Sequence, residues 1–415
     1  MAIPIEYEDY TLSAAGLARA KKAWSKLNMM EYIRENDELT GEPSDYETIP
    51  ANILESFKRH EYAQYYKDNY EPEVDYLCFQ AVGGGGVISM TTQLATAPNI
   101  EYSTDKQTWN TWNFTAASSG YAAENLHLES GEKVYMRGTN PNGFYEEVQE
   151  LKITSFVFTG TVGTIAASGD IGTLVDKVGG ASLVLPYGCY FEMFAGCTSL
   201  TSAPALPATT LAERCYYQMF KDCTSLTATP TLPATTLANR CYQGMFFGCI
   251  SLTSAPALPA TTLAERCYYQ MFNCCTSLTS APALPATTLE VYCYARMFKD
   301  CTSLTAAPTL PATTLADDCY NFMFYGCTGF TSAPALPATT LADECYYGMF
   351  YGCTSLTSVR SDLLPSNVTD PTVSGDNPAL IEMLVEIGAS SLPTELSTII
   401  TGLGYTLSDV YTQAS

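Results

Sequence analysis

The chain has 415 residues, 47% hydrophobic and only 15% charged, and its 43 acidic against 20 basic residues give a formal net charge of −23. No basic stripe exists to neutralise phosphates, which excludes nucleic acid as a partner and disfavours an anionic lipid surface. No apolar run reaches the ~18 residues that a bilayer-spanning helix requires, so no membrane insertion is expected.

The first residues, "MAIPIEYEDYTLSAAG", lack the basic n-region and apolar h-region of a secretory signal. Folding in a cytoplasm is therefore expected, and with it thiols rather than disulfides for the 16 cysteines. Residues 1–74 read as a helical docking segment. Leu12, Leu17, Trp24, Leu27 and Met30 recur at helical spacing, and Pro50 stands near the first turn of a second helix. Residues 75–152 show short β-type runs split by turns ("YLCFQAV", "GVISMT", "IEYSTD", "TWNTWNF", "EKVYMRG"), predicting a small all-β, sandwich-like domain. "GGGG" at 83–86 lacks the Lys-Ser/Thr and helix of a phosphate loop and reads as a turn. Residues 153–182 are expected to connect this domain to residues 183–365 and to cap the N-terminal end of that region.

From 183 to 365 one sentence of 26 residues is written seven times. Cys189, Cys215, Cys241, Cys267, Cys293, Cys319 and Cys345 form one column of that period. Cys197, Cys223, Cys249, Cys275, Cys301, Cys327 and Cys353 form a second. Met-Phe pairs, such as Met219-Phe220 and Met271-Phe272, make two more. A fixed period in this range predicts a solenoid. Within a unit, "SLTxxPxLP" reads as a short strand entering a proline turn, and "ATTLAxxCYxxMFxxC" as a turn and a short helical segment. One unit cannot bury its apolar face alone, so units must stack; seven at strand spacing make a rod of about 34 Å. "VRSDLLPSNVT" (359–369) reads as a decayed half-repeat. Residues 366–415 are expected to cap the array with two short helices, "PALIEMLVEIG" and "PTELSTIITGLG".

The passage "MFxGCTSLTSAPALPATTLAxxCYxxMF" resembles the BspA-like (Treponema-type) leucine-rich repeats. Such repeats are found on surface proteins of Bacteroides-type bacteria and in virion proteins of their tailed phages. The resemblance covers residues 183–365 and implies a leucine-rich-repeat solenoid used for surface recognition. The string "IEYSTDKQTWNTW…LHLESGEKVYMRGTN" also resembles the β-domains that precede such repeats in phage and surface proteins.

The Cys-x7-Cys spacing matches no common zinc arrangement, and only two histidines, His60 and His127, could assist. Vertical disulfides between units are geometrically conceivable, but seven cysteines per column would leave one over, and a buried ladder of thiols is the preferred reading. Asp317-Asp318 and Asp343-Glu344 occupy a variable turn position and read as a solvated face rather than as calcium ligands. No Ser-His-Asp, Cys-His or metal set can be assembled with two histidines outside the array, which leaves carboxylate-only glycosidase chemistry as the one open catalytic alternative; no enzyme, metal or cofactor is expected. The candidate recognition strip consists of the two variable positions after the constant tyrosine column. The first holds Phe191, Tyr217, Gln243, Tyr269, Asn321 and Tyr347; the second holds Gln218, Gln270, Arg296 and Phe322. Neutral drift at exposed positions is the competing reading. The leading expectation is a phage virion protein, homo-oligomeric in the particle, that docks on other virion proteins through its N-terminal region. The array would then meet a host-surface protein or glycan. A BspA-type bacterial adhesin and a cytosolic scaffold are the alternatives.

Overall fold

The computed structural model describes residues 11, 13, 20, 55–59, 74–147, 151–159, 163–371 and 378–414. The chain divides into two compact units, Met1–Val74 and Asp75–Ser415. In the first, residues 55–59 are helical; Leu12, Leu17, Trp24, Leu27, Met30 and Pro50 of the expected docking segment lie outside the described residues. The second unit is mostly β-structure with few helices and, among the described residues, no closed barrel.

Apolar side chains alternating along short runs build two sheets. The strands are β1 (Leu77–Val82), β2 (Gly86–Thr92), β3 (Ile100–Ser103), β4 (Asn110–Thr111), β5 (Phe114–Ala117), β6 (Gly120–Ala123), β7 (Leu126–Leu128), β8 (Lys133–Gly138), β9 (Tyr145–Glu147), β10 (Leu151–Thr159), β11 (Thr164–Ser168) and β12 (Leu200–Ser202). One sheet runs β12-β11-β1-β8-β3-β4 and the other β5-β6-β2-β10-β9, with β7 also on β2. Period-two burial of Val134, Met136, Ile88 and Met90 turns one face of each sheet inward. The sheets meet through Phe79, whose ring lies edge-on to Phe156 at 4.9 Å and Phe158 at 5.4 Å. The four glycines lead the chain from β1 in one sheet to β2 in the other.

Residues 153–182 are not a separate connector. β10 pairs antiparallel with β2 from Thr154↔Thr92 to Thr159↔Val87, and β11 pairs with β1 from Cys78↔Ser168 to Val82↔Thr164. The alternation in "ITSFVFT", with Thr154 and Phe156 buried, fits a sheet interior rather than a link. The short helix α1 (Thr173–Asp176) comes next.

In the repeats the predicted helical segment is absent. In its place is a ribbon of overlapping turns in which alternate N–H groups have different destinations. Those of Cys189, Phe191, Met193, Ala195 and Cys197 donate three residues back, at 3.0–3.2 Å. Those of Gly188, Tyr190, Glu192, Phe194 and Gly196 donate to carbonyls of the next unit, 25 residues on, at 2.8–2.9 Å. An α-helix would satisfy all of them internally; the ribbon commits half of them to holding units together. Every fourth residue is left-handed, as in Arg214 (φ 56), Gln218 (φ 49) and Asp222 (φ 57). That conformation costs roughly 1–2 kcal/mol per non-glycine residue, which the ladder must offset. The predicted "SLT" strand is likewise reduced, outside β12, to isolated parallel bridges such as Ser254↔Ser280 and Ala306↔Ser332.

Inside the stack, the columns run continuously. Rings from Tyr190 to Tyr346 lie 5.7–5.9 Å apart with planes within 14°. Those from Phe194 to Phe350 lie 5.4–5.7 Å apart within 8°. From Cys223 to Cys353, the second cysteine column donates Sγ–H to the phenylalanine carbonyl of the preceding unit at 3.0–3.1 Å.

The first C-terminal "helix", "PALIEMLVEIG", is an eighth turn ribbon. The N–H groups of Tyr346, Gly348, Phe350 and Gly352 donate to Ala379, Ile381, Met383 and Val385 at 2.9–3.1 Å, and Glu382 and Glu386 are left-handed. Ala379-Leu380, Met383-Leu384 and Ile387 stand where Cys-Tyr, Met-Phe and Cys stand elsewhere. The half-repeat contributes Leu363 and Thr369, whose carbonyls accept from Leu336 and Leu341 at 3.0 Å. The second expected helix is α2 (Thr394–Gly402), which buries Leu396 and Ile400. It is followed by α3 (Leu407–Val410), whose Asp409 carbonyl accepts the Glu382 N–H at 2.8 Å. β13 (Leu384–Ile387) and β14 (Tyr411–Gln413) pair in parallel.

Candidate recognition surface

The four-residue rhythm of the ribbon turns Cys, Tyr, Met, Phe and Cys inward and leaves the residues between them outward. The predicted strip lies there, but not uniformly. Phe191 is buried, its ring stacked between Tyr145 of β9 at 4.8 Å and Tyr217 at 4.4 Å. Asn321 is buried as well. Tyr217, Gln218, Gln243, Tyr269, Gln270, Arg296, Phe322 and Tyr347 are half-buried, and Gln243 reaches the Tyr217 hydroxyl at 3.4 Å.

Two further outward columns, which the sequence reading passes over, flank the strip. The residue before the first cysteine reads Arg214, Arg240, Arg266, Tyr292, Asp318 and Glu344. The residue after the Met-Phe pair reads Lys221, Phe247, Asn273, Lys299, Tyr325 and Tyr351, of which Asn273 is buried. Their signal is the one that marks the strip: variation at fixed offsets between constant residues.

All six basic residues of 183–358 (Arg214, Lys221, Arg240, Arg266, Arg296, Lys299) belong to the ribbon, while stretches such as "CTSLTSAPALPATTLA" carry no charge. Four of the six lie over rings of the following unit, while Arg214 lies over Tyr187, just before Cys189, at 5.7 Å. Lys221 is 5.9 Å from the Phe247 ring, Arg266 4.5 Å from Tyr292, Arg296 5.5 Å from Phe322 and Lys299 4.5 Å from Tyr325. Lys221-Asp222 and Lys299-Asp300 each precede a unit with glycine under the aspartate. A Cβ on Gly248 (φ +72) would stand 2.2 Å from Asp222 Oδ1, so glycine is required there by both space and backbone.

The acidic turns are less solvated than their sequence suggests. The Asn321 amide donates to Asp318 Oδ1 at 2.8 Å and to Glu344 Oε2 at 3.2 Å, gathering two carboxyls of adjacent units. Burial pushes both carboxyls above their ordinary range, and the Asp318 charge pushes Glu344 further. A carboxyl raised in the folded state stabilises fully below its unfolded value, about 4, and loses that contribution as pH rises through the folded value. Asp318→Asn, which mimics the protonated form, should therefore raise the melting temperature at pH 7 and lose that advantage by pH 4. A larger gain at pH 4 than at pH 7 would show that the pair is not strained when charged.

The thiols of the two cysteine columns are shut away from solvent. All 16 cysteines are free, and 15 are buried. Burial lifts Cys197 and Cys353 to about 12, so the nucleophilic thiolate is scarce at neutral pH. No group of three or more potential metal ligands occurs among the described residues. Two shallow clefts of about 320 and 290 Å³ lie among the prolines of Pro308–Pro337 and Pro230–Pro259; the one charged lining residue, Arg360, is engaged with Asp362 at 2.7 Å. Neither has the convergent polar groups of a small-molecule site.

Compared with protein-family models, curated proteins and solved structures, the chain matches none of them. The functional reading therefore rests on the residues themselves.

Proposed function

We propose that this chain is a structural protein of a phage virion whose leucine-rich-repeat solenoid, of the BspA-like type its repeats resemble, attaches the particle to its host's surface. It acts by binding rather than catalysis and without a cofactor. The observation that carries this reading is the confinement of charge to one outward ribbon, where sequence variation is also concentrated, on a stack whose inward columns are nearly constant. That is the distribution expected when a rigid scaffold presents a tunable contact surface. Half-buried tyrosine, phenylalanine and arginine side chains are also the types that dominate binding energy at protein interfaces. The free, buried thiols favour assembly in a reducing cytoplasm, as for a virion, over export as a bacterial adhesin. Residues 1–74 would dock on other virion proteins, and copies would associate in the particle.

The test uses particles carrying the full chain with Tyr217→Ala, Phe322→Ala and Tyr347→Ala combined. Their host adsorption should fall on the order of tenfold, about 1.4 kcal/mol, with the copy number per particle unchanged. Absence of the chain from purified particles, or adsorption at the unaltered rate, would refute the proposal.

A further inference from the structure

The ribbon changes character along its length. Residues 188–299 carry six basic and five acidic side chains, whereas residues 300–387 carry ten acidic and one basic, Arg360, which is paired with Asp362. The aromatic rows change in step. Up to Tyr325, four rings in the outward columns (Phe247, Tyr292, Phe322 and Tyr325) are covered by the array's own cations. Beyond it these contacts stop. Tyr351 instead stacks on Tyr325 at 5.0 Å, and Tyr347 stands edge-on to Phe322 at 5.1 Å. The Gly348 and Gly352 N–H groups donate to the Ile381 and Val385 carbonyls at 2.9 Å, which sets Glu382 and Glu386 of the eighth ribbon beside Tyr347 and Tyr351. Burial and then the Glu382 charge raise the Tyr347 phenol, and the Glu386 charge raises that of Tyr351.

Resting on the reading of the ribbon as a recognition surface, we infer that Tyr347 and Tyr351, backed by Glu382 and Glu386, bind lysine or arginine side chains of a basic polypeptide segment. The upstream units display the chemistry within the chain: a cation from one unit lies over a ring of the next. At the last full unit no further unit of this type repeats the pattern, and the ring faces are flanked by carboxylates. A guanidinium or ammonium there gains the ring quadrupole and an ion pair together. A neutral glycan could stack on the rings and donate hydroxyls to the carboxylates but would gain no ion pair, so a cationic protein is the partner the charge distribution favours.

The test measures binding of a labelled dodecapeptide of alternating arginine and glycine to the full chain, by fluorescence anisotropy at about 0.15 M salt, where long-range attraction is screened. Tyr347→Ala with Tyr351→Ala should weaken binding on the order of tenfold. Glu382→Gln with Glu386→Gln, which leaves the rings in place should the tyrosine variant misfold, should weaken it several-fold. Glu192→Gln with Glu213→Gln, the same change of charge in the first units, should alter it less than about twofold. Equal losses from the two glutamate pairs would show that the peptide follows net charge alone and would overturn the inference. So would tyrosine-dependent binding of neutral oligosaccharides with peptide binding unaffected. Either failure, with host adsorption still dependent on the ribbon, would leave the attachment proposal standing with a different partner.

Discussion

Phe272→Ala should lower the stability of the folded chain by about 3–5 kcal/mol, and Met271→Ala by about 2–5 kcal/mol. Both side chains are fully buried at the middle of the array. The Phe272 ring is stacked 5.6 Å from Phe246 on one side and 5.6 Å from Phe298 on the other. Its removal loses two stacked pairs, each worth about 0.5–1.5 kcal/mol beyond area burial, and leaves a gap that two rigid units cannot close. The Phe272 carbonyl also accepts the Cys301 thiol at 3.0 Å, so any backbone shift into the gap disturbs the next unit. Because stability in such an array is the sum of unit and neighbour terms, a defect in the middle weakens both flanks. Chemical denaturation monitored by near-UV circular dichroism measures the loss. A midpoint within error of the unaltered protein would mean the columns are not packed as described.

The second large effect concerns the start of the stack. Residues 183–415 produced without residues 75–182 should fail to give a soluble monomer. The reason is that the sheets supply the unit preceding the first repeat. Phe156 of β10 stacks on Phe194 at 5.0 Å with planes 6° apart, and its N–H donates to Met193 at 2.8 Å. Phe144 stacks on Tyr190 at 6.0 Å and donates to Cys189 at 3.0 Å. Ile165 of β11 donates to Ser199 at 2.9 Å, and β11 pairs in parallel with β12. Removing that unit exposes the ends of both aromatic columns and a row of unpaired backbone groups, an invitation to edge-to-edge association. Size-exclusion chromatography should show oligomers or aggregate. A monomer melting at the full chain's temperature would mean that the array starts itself. Within the full chain, Phe156→Ala should cost about 3–5 kcal/mol for the same reason.

Much of this architecture is legible in the sequence, and the failures have identifiable causes. The 26-residue period dictates which residues stack, because identical side chains at identical offsets must meet when units repeat. The β runs between 77 and 138 alternate clearly enough to be read as strands. The turn ribbon reads as helix because inward residues in Cys-Tyr-x-x-Met-Phe-x-x-Cys recur every four residues, close enough to the ~3.6 of a helix to fit either form. The distinguishing signal is glycine at the left-handed positions, as at Gly188, Gly196, Gly244, Gly248, Gly326, Gly348 and Gly352. A helix interior would disfavour glycine at each of them. The same ambiguity hides the eighth ribbon in "PALIEMLVEIG", where Leu replaces the aromatic residues and Ala and Ile replace the cysteines. The candidate surface is legible only in part. One variable pair of columns stands out, but the burial of Phe191 depends on Tyr145, which lies in a different sheet strand far back in the chain, and that of Asn321 on carboxyls from two units. No local pattern encodes contacts of that kind.

Thiol accessibility gives the most direct measurement of whether the units form one continuous packed stack. The native protein is treated with an alkylating reagent, denatured without reductant, treated with a second reagent of different mass, and mapped by mass spectrometry. The packing described here predicts that Cys274, the one cysteine not buried, takes the first label, and that the other 15 take only the second, with no disulfide recovered. First-label modification spread along the two cysteine columns, or several bridges between neighbouring units, would contradict it.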